Sequence, residues 1–285
     1  MTARGIGALA YRALMDEVDT TPKPGLVDRR NAGAHSDMDY TTFAASALAL
    51  WPHLEAFART GERLRHLSEP ELLAALRPMG LAAEADMYAA TVGVNTHKGA
   101  VFSLGLLCAA AGWRTAKGLD LQPASVCGTV AAMTAGISSE LSSVGDTAGS
   151  RVFRRYGVHG ARGEAESGFQ SARACGLPML KAALNRGDDR NTACVRALMA
   201  LMAQVVDTNV LGRHDMETAL WLQGEARRVL ARFSLEAVAA LDDTLIARNI
   251  SPGGTADLLA VTLMLYGLTD LGGSPQTPTN FLEKV

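Results

Sequence analysis

The chain gathers its polar chemistry into five short stretches that interrupt otherwise apolar segments. The first runs from Thr21 to Asp39 and carries Lys23, Arg29, His35 and Asp37 behind two prolines, Pro22 and Pro24. Proline has no N–H to donate and biases its predecessor away from helix, so this stretch begins as an extended loop. Cations, a histidine and carboxylates together suit an anionic ligand and proton transfer. The plainer reading is a solvated loop whose Asp37 or Asp39 caps the next helix. The second stretch is Glu84-Ala85-Asp86, followed by Asn95, Thr96, His97 and Lys98 within Gly93–Gly99. Asn95 or Thr96 can cap the apolar helix that follows, and the start of such a helix suits an anion. Lys98 adds a full charge there, although the glycine spacing and Lys-Ser/Thr pair of a Walker A loop are absent.

The third stretch, Arg151–Glu166, places Arg154, Arg155, Arg162, Glu164 and Glu166 among glycines. Arginine grips phosphate with two donors, glycine lets backbone approach a ligand, and a carboxylate can bind metal or handle a proton. The fourth is Asp207-Thr208-Asn209 with Arg213, His214 and Asp215 beyond it. Asp207 follows Val205-Val206, and a carboxylate buried there needs a partner or a metal. The fifth is Ser251–Asp257, where Ser251 and Pro252 fit helix-start chemistry and Gly253-Gly254 allow a phosphate close. Asp257 is also explained simply by the helix dipole. Other signals carry less. Gly5-Ile6-Gly7 follows no strand, so it is no dinucleotide fingerprint. Asp188-Asp189 and Asp242-Asp243 lack the further Asp of a helical prenyl-synthase metal motif. His53 and His66 read as surface or packing residues.

The elements that position these stretches are helices. Ile6, Leu9, Ala10, Ala13, Leu14 and Val18 recur at helical spacing and form one apolar face. Thr42–Trp51 predicts a helix ending at Pro52, and Glu71–Leu76 and Leu81–Ala90 predict two helices split at Pro78-Met79-Gly80. Lys98–Ala111 is apolar nearly throughout, so it predicts a central helix buried on all sides. Val126–Ile137, Val195–Val206, Glu217–Ala231, Leu235–Ala247 and Thr255–Leu268 complete the set. No stretch alternates apolar with polar residues, so the fold class expected is all-α with no sheet. Tyr156–Ser167 reads as a functional loop. One domain is expected over residues 1–271, with a loose tail over 272–285 holding Pro275 and Pro278.

The 285 residues carry 27 Lys+Arg against 29 Asp+Glu, a formal charge of −2. That balance argues against nucleic acid as a partner but leaves room for local anion pockets. With 48% hydrophobic residues the chain is globular rather than disordered. Cys108, Cys127, Cys175 and Cys194 form no metal-type pair and read as buried reduced thiols. No basic region and apolar core opens the chain as a secretory signal would. Leu121–Ser139, the longest uncharged run, reads as a buried helix rather than a membrane span. A cytoplasmic location is therefore expected. The abundant apolar helix fits a homodimer face or only a large core.

Taken together, the stretches resemble one family. The segments Pro22–Asp39, Gly93–Leu107, Gly160–Phe169, Asp207–Val210 and Ser251–Leu259 occur in the order of the triphosphoribosyl-dephospho-CoA synthases. The resemblance covers nearly the whole chain, and its first two motifs are the specific ones. The PGLVDRRN form (Pro24–Asn31) resembles the citrate lyase branch more than the malonate decarboxylase branch. One departure is that Arg213 is followed by His214-Asp215, where glycines are expected. The resemblance implies that ATP and 3′-dephospho-CoA combine with release of adenine. A downstream holo-acyl-carrier-protein synthase would then attach the product to its carrier.

That reaction breaks the C–N glycosidic bond of ATP through an oxocarbenium-like transition state and keeps the triphosphate intact. It needs a carboxylate near the hydroxyl and ribose, donors for the departing adenine, and cations that hold phosphates. Lys23, Arg29, Lys98 and Arg162 are the expected phosphate grips, with the helix start at Ser251, Gly253 and Gly254. Asn95, Thr96, Asn209 and Arg213 join them in substrate binding. Asp37, Glu84 and Glu164 are the candidate catalytic carboxylates, and His35 and His97 the candidate donors. Asp86, Asp207 and Glu166 are the expected ligands of Mg²⁺, which takes few carboxylates plus phosphate oxygens. Two rival readings are a metal-dependent helical phosphohydrolase using His214-Asp215, and a non-catalytic helical scaffold.

Overall fold

Helix α4 (Lys98–Ala116) explains the rest of the architecture, because it has almost no polar face to offer water. Leu104, Leu107, Cys108 and Ala109–Ala111 on it are fully buried. A helix apolar all round is stable only when neighbours wrap it. Those neighbours are α1 (Ala3–Asp19), α2 (Tyr40–Arg63), α3 (Glu69–Ala90), α5 (Pro123–Met133) and α14 (Gly253–Asp270). The computed structural model describes residues 1–143 and 145–270, and no strand occurs among them. The expected tail over 272–285 lies outside the described residues.

Helices α2 and α4 meet backbone to backbone. A Cβ added at Gly61 would lie 2.0 Å from the Ala109 carbonyl oxygen, and one at Gly112 would lie 2.0 Å from that of Ala58. Only glycine permits this approach.

The remaining helices are α6 (Glu140–Ser143), α7 (Ala148–Tyr156), α8 (Gly160–Glu166), α9 (Leu177–Asn185), α10 (Arg190–Met202), α11 (Thr208–Arg213), α12 (Met216–Ala231) and α13 (Leu235–Ala247). Several sequence expectations are corrected here. Helix α2 runs through Pro52 and α3 runs through Pro78. In α3, Leu72, Leu76, Ala83 and Met87 are all buried and keep one face across the proline. A proline costs a helix interior about 3 kcal/mol. Burying each large apolar side chain returns about 1.5–3 kcal/mol, so the continuous stripe outweighs it. In α2, Leu50, Leu54, Phe57 and Ala58 do the same, and Trp51 stacks on Tyr11 with centroids 4.9 Å apart.

The helix expected over Val126–Ile137 stops at Met133, and Gly136 turns left-handed before the short 3₁₀ segment Ile137–Ser139. The helix expected over Val195–Val206 starts earlier, where Asp189 caps α10, and ends at Met202. The Tyr156–Ser167 stretch is not a plain loop, since it contains α8. Cys108, Cys127 and Cys194 are buried, while Cys175 is half-buried. Helix α4 is long and apolar enough to cross a membrane by length and composition, yet 72% of its apolar window is buried inside the protein.

Candidate active site

The 20–39 loop is held from below by carboxylates. Buried Asp28 accepts the N–H groups of Lys23, Arg30 and Asn31 at 2.7–3.1 Å. Asp242, from α13, accepts the Gly25 N–H and the Asn31 side-chain amide, each at 2.9 Å. The Asp242-Asp243 pair set aside as a metal motif thus contains a structural tie. Asp39 caps α2 by accepting the Thr42 N–H, and these bonds pull its carboxyl down to about 2.

So anchored, the loop walls a cavity of about 1220 Å³ together with α1, α3, α4, α8, α11 and the start of α14. A site for one drug-sized ligand occupies roughly 300–1,000 Å³, so this space suits a larger ligand or a pair. Every sequence-predicted site residue lines it except Arg29, Asp86 and Glu166.

The floor is buried and charged. Lys23, 1% exposed, forms an ion pair with Glu17 on α1. Burial pushes the Glu17 carboxyl up, and Lys23 pulls against that shift. Asp207 is sealed as well. Its Oδ1 accepts the Asn209 N–H at 2.8 Å, and its Oδ2 accepts the Thr255 N–H and hydroxyl at 2.6 and 2.8 Å. Burial raises its carboxyl, and these bonds oppose the rise. Asp257 lies against the start of α4, where a Cβ on Gly99 would sit 2.0 Å from its Oδ2. Burial and the neighbouring Glu17 and Asp207 charges push Asp257 well above the usual carboxylate range, while the Ala100 N–H holds it down.

These contacts correct two expectations. Neither Asn95 nor Thr96 caps α4; His97 occupies the cap position, and Asp257 meets the helix start instead. At the start of α14, Asp207 takes the Thr255 N–H. The protein's own carboxylates therefore meet both helix starts expected to cradle phosphate. Lys23 is likewise compensated by Glu17. The cations left to face an anionic ligand are side chains higher in the cavity.

Those cations are Lys98, Arg162, Arg213 and a residue the sequence reading missed, Arg77. Lys98 Nζ is 2.7 Å from Glu84, which raises the Lys98 pKa. Arg77 and Arg162 converge on Glu140, with Arg162 Nη1 3.6 Å away. Such half-exposed pairs are weak and open readily to a stronger anion. Glu164 accepts from the Ser171 N–H and hydroxyl. His35 Nε2 lies 2.8 Å from the Ser251 hydroxyl; burial and the Arg213 charge lower its pKa, with Asp37 opposing.

His97 is the most enclosed of the candidates. Its ring is 2% exposed, and its Nδ1 is 2.7 Å from Ser46 Oγ on α2. Burial, then the Lys23 charge, drive its pKa down to about 3, so the ring is neutral.

The three excluded residues point away for a geometric reason. Glu84 and Asp86 are two apart on α3, as Glu164 and Glu166 are on α8, and residues two apart face opposite sides of a helix. Glu84 and Glu164 face the cavity. Asp86 instead sits 2.6 Å from His53, and Glu166 accepts the Gly136 N–H at 2.6 Å. Arg29 reaches Asp19 at 2.8 Å and lies over the Tyr40 ring. The metal set Asp86, Asp207 and Glu166 is therefore not brought together. Among the described residues no group of three His, Cys, Asp or Glu is placed to hold a metal ion.

Glu17 and Ser46 were missed but left a trace. Each is a polar residue on the apolar stripe of its helix, and both are buried. His214 donates to the Asn249 carbonyl at 2.9 Å, and Asp215 caps α12, so both residues of that rival pair have structural jobs.

A family model described as ATP:dephospho-CoA triphosphoribosyl transferase matches residues 3–276. The chain is 45% identical over 276 residues to a 2-(5''-triphosphoribosyl)-3'-dephosphocoenzyme-A synthase of Escherichia fergusonii, covering 93% of this chain and 91% of that one. It is 45% identical over 275 residues to the synthase of that name from Klebsiella pneumoniae, with the same coverage. It is 46% identical over 260 residues to that from Pectobacterium atrosepticum, covering 89% and 86%. No solved structure gives a significant match.

Proposed function

The chain belongs to the ATP:dephospho-CoA triphosphoribosyl transferase family, and from that premise we infer that it is a triphosphoribosyl-dephospho-CoA synthase. The observation that carries this reading is the gathering of the five separated motifs around one cavity large enough for two nucleotides. The 2′-hydroxyl oxygen of 3′-dephospho-CoA bonds to the ribose C1′ of ATP. The C1′–N9 bond breaks with its electron pair going to adenine, and the hydroxyl proton, taken first by a carboxylate, ends on the departing adenine.

Holding both substrates in line supplies much of the acceleration, since orientation alone is worth roughly 7–11 kcal/mol in favourable cases. Lys98, Arg77, Arg162 and Arg213 grip the triphosphate. We assign Glu164 to take the hydroxyl proton, because Ser171 fixes its orientation whereas Glu84 is tied to Lys98. Negative charge around the cavity also favours a ribose that becomes cationic.

Mg²⁺ is expected with ATP. The donor set fits an ion that takes one or two carboxylates and completes its shell with phosphate oxygens and water. Asp257 would supply the protein's carboxylate, since both oxygens of Asp207 are already taken by Asn209 and Thr255. When bound it would neutralise triphosphate charge.

The PGLVDRRN segment favours a product that serves the acyl carrier of citrate lyase, delivered by a separate holo-acyl-carrier-protein synthase. ATP as co-substrate favours a cytoplasmic reaction. The test is mass spectrometry of the purified protein with Mg²⁺, ATP and 3′-dephospho-CoA. Free adenine together with a triphosphoribosyl adduct of dephospho-CoA is expected. ADP or phosphate without adenine would replace this reading with a phosphohydrolase.

A further inference from the structure

Buried polar atoms nearly always have partners, and two nitrogens lining this cavity have no hydrogen bond; of these, Arg162 Nη1 still faces the Glu140 carboxylate at 3.6 Å. His97 Nε2 is buried and has no hydrogen-bond partner. Leaving such a group unmet costs about 1–3 kcal/mol, and the exceptions call for an explanation. The other side of the ring is fully engaged. Nδ1 meets the Ser46 hydroxyl at 2.7 Å, and Thr96 Oγ1 lies 2.7 Å from that same hydroxyl. Phe43 stands edge-on at 4.8 Å between centroids.

The relay suits a ring protonated on Nε2: Ser46 accepts from Thr96 and, with its one proton, donates to His97 Nδ1. The ring's own proton then sits on Nε2, a neutral donor without an acceptor beside the cavity. Such a group is poorly matched to triphosphate, which has cations elsewhere in the cavity. It is well matched to a neutral heteroaromatic nitrogen, and adenine offers N7 and N3 as acceptors.

We propose that His97 is a catalytic residue that donates its Nε2–H to a ring nitrogen of the departing adenine, and that Ser46 is its positioning residue. The proposal rests on the triphosphoribosyl-transfer reading. His97 keeps its proton throughout. The hydroxyl proton of dephospho-CoA passes to Glu164 and then to the adenine as its bond to C1′ breaks. The Nε2–H bond strengthens as negative charge builds on the purine, which is what lowers a barrier.

The experiment crosses enzyme variants with substrate analogues, reading kcat/KM for release of the base. ATP, 7-deaza-ATP and 3-deaza-ATP are each given to the wild type, His97→Ala, His97→Asn and Ser46→Ala. The wild type is expected to lose about 10–100-fold on one of the two analogues, the range that a lost hydrogen bond of 1–3 kcal/mol gives. His97→Ala should lose a similar factor with ATP and nothing more with that analogue, because the same contact is already gone. His97→Asn keeps a donor and should retain part of the discrimination. Ser46→Ala should weaken the discrimination while the KM for dephospho-CoA stays unchanged. Fully multiplicative losses with both analogues would overturn the proposal. Melting curves check folding; if His97→Ala does not fold, the Asn and Ser46 variants decide by the same criterion. Failure of the wild type to release adenine from ATP itself would instead sink the reaction on which the proposal stands.

Discussion

His97 ties stability to pH, with a sign that can be worked out. Its ordinary value is 6.5, and in the folded protein it falls to about 3 under burial and the Lys23 charge. Below about pH 6.5 the unfolded chain takes up a proton that the folded chain refuses. The folded state therefore loses stability as pH drops, by up to about 1.4 kcal/mol per unit, until about pH 3. Burial raises the nearby Glu17, Asp207 and Asp257 carboxyls, so those groups act in the opposite direction. Comparing His97→Asn with the wild type isolates the histidine. Denaturant titrations at pH 7 and pH 5 should show the wild type losing about 2 kcal/mol more than the variant. Equal losses would mean that the ring is accessible to protons. At this scale the sequence was informative about residue type and less so about direction. Motif chemistry pointed to Glu84, Glu164 and Asp207. It does not separate them from Asp86 and Glu166, two positions on, because which face of α3 and α8 meets the cavity is set by packing against other helices. In the sequence Asp257 suits the dipole of its own helix, yet it serves the start of another helix, a contact that exists only in the fold.

Elements place those residues, and the 20–39 loop shows how. Its shape depends on Asp28 within the loop and on Asp242 reaching across from α13. Asp242→Ala would leave the Gly25 N–H and the Asn31 amide without their acceptor. It is expected to cost about 2 kcal/mol, or roughly 4–8 °C in Tm. It should also raise the KM for ATP, since the loop walls the cavity and carries His35. An unchanged Tm would show that the tie is dispensable. Gly99→Ala is a second test at this scale. Its Cβ would collide with Asp257 Oδ2, so kcat should fall by tenfold or more while the helical circular dichroism persists. Helix positions themselves were largely legible from periodicity, and α13 falls over Leu235–Ala247 as expected. The misjudgements were local rules outweighed by packing. Proline weakens a helix, so Pro52 and Pro78 predict ends, but the buried stripes on either side share one face and carry the helix through.

For the whole molecule, the cavity draws on segments from Glu17 to Leu258, so filling it should cross-brace the fold. A ligand that binds only the native state at 100 times its Kd adds about 2.7 kcal/mol. Mg²⁺-ATP and 3′-dephospho-CoA should each raise Tm, and the pair together should raise it further. A Tm unmoved by either would show that the native protein binds neither substrate. The crossing of α2 and α4 carries a consequence for how such a protein can change over generations. Gly61 and Gly112 lock two backbones together at a point where no side chain fits. Ser46 and His97, the nitrogen and its support, ride on those same two helices. Mutational drift is thereby channelled. Variation that retunes substrate preference can accumulate around Arg77, Arg162 and Arg213 on the rim, while the spacing of the Ser46–His97 pair is inherited with the crossing and changes only at the expense of the core.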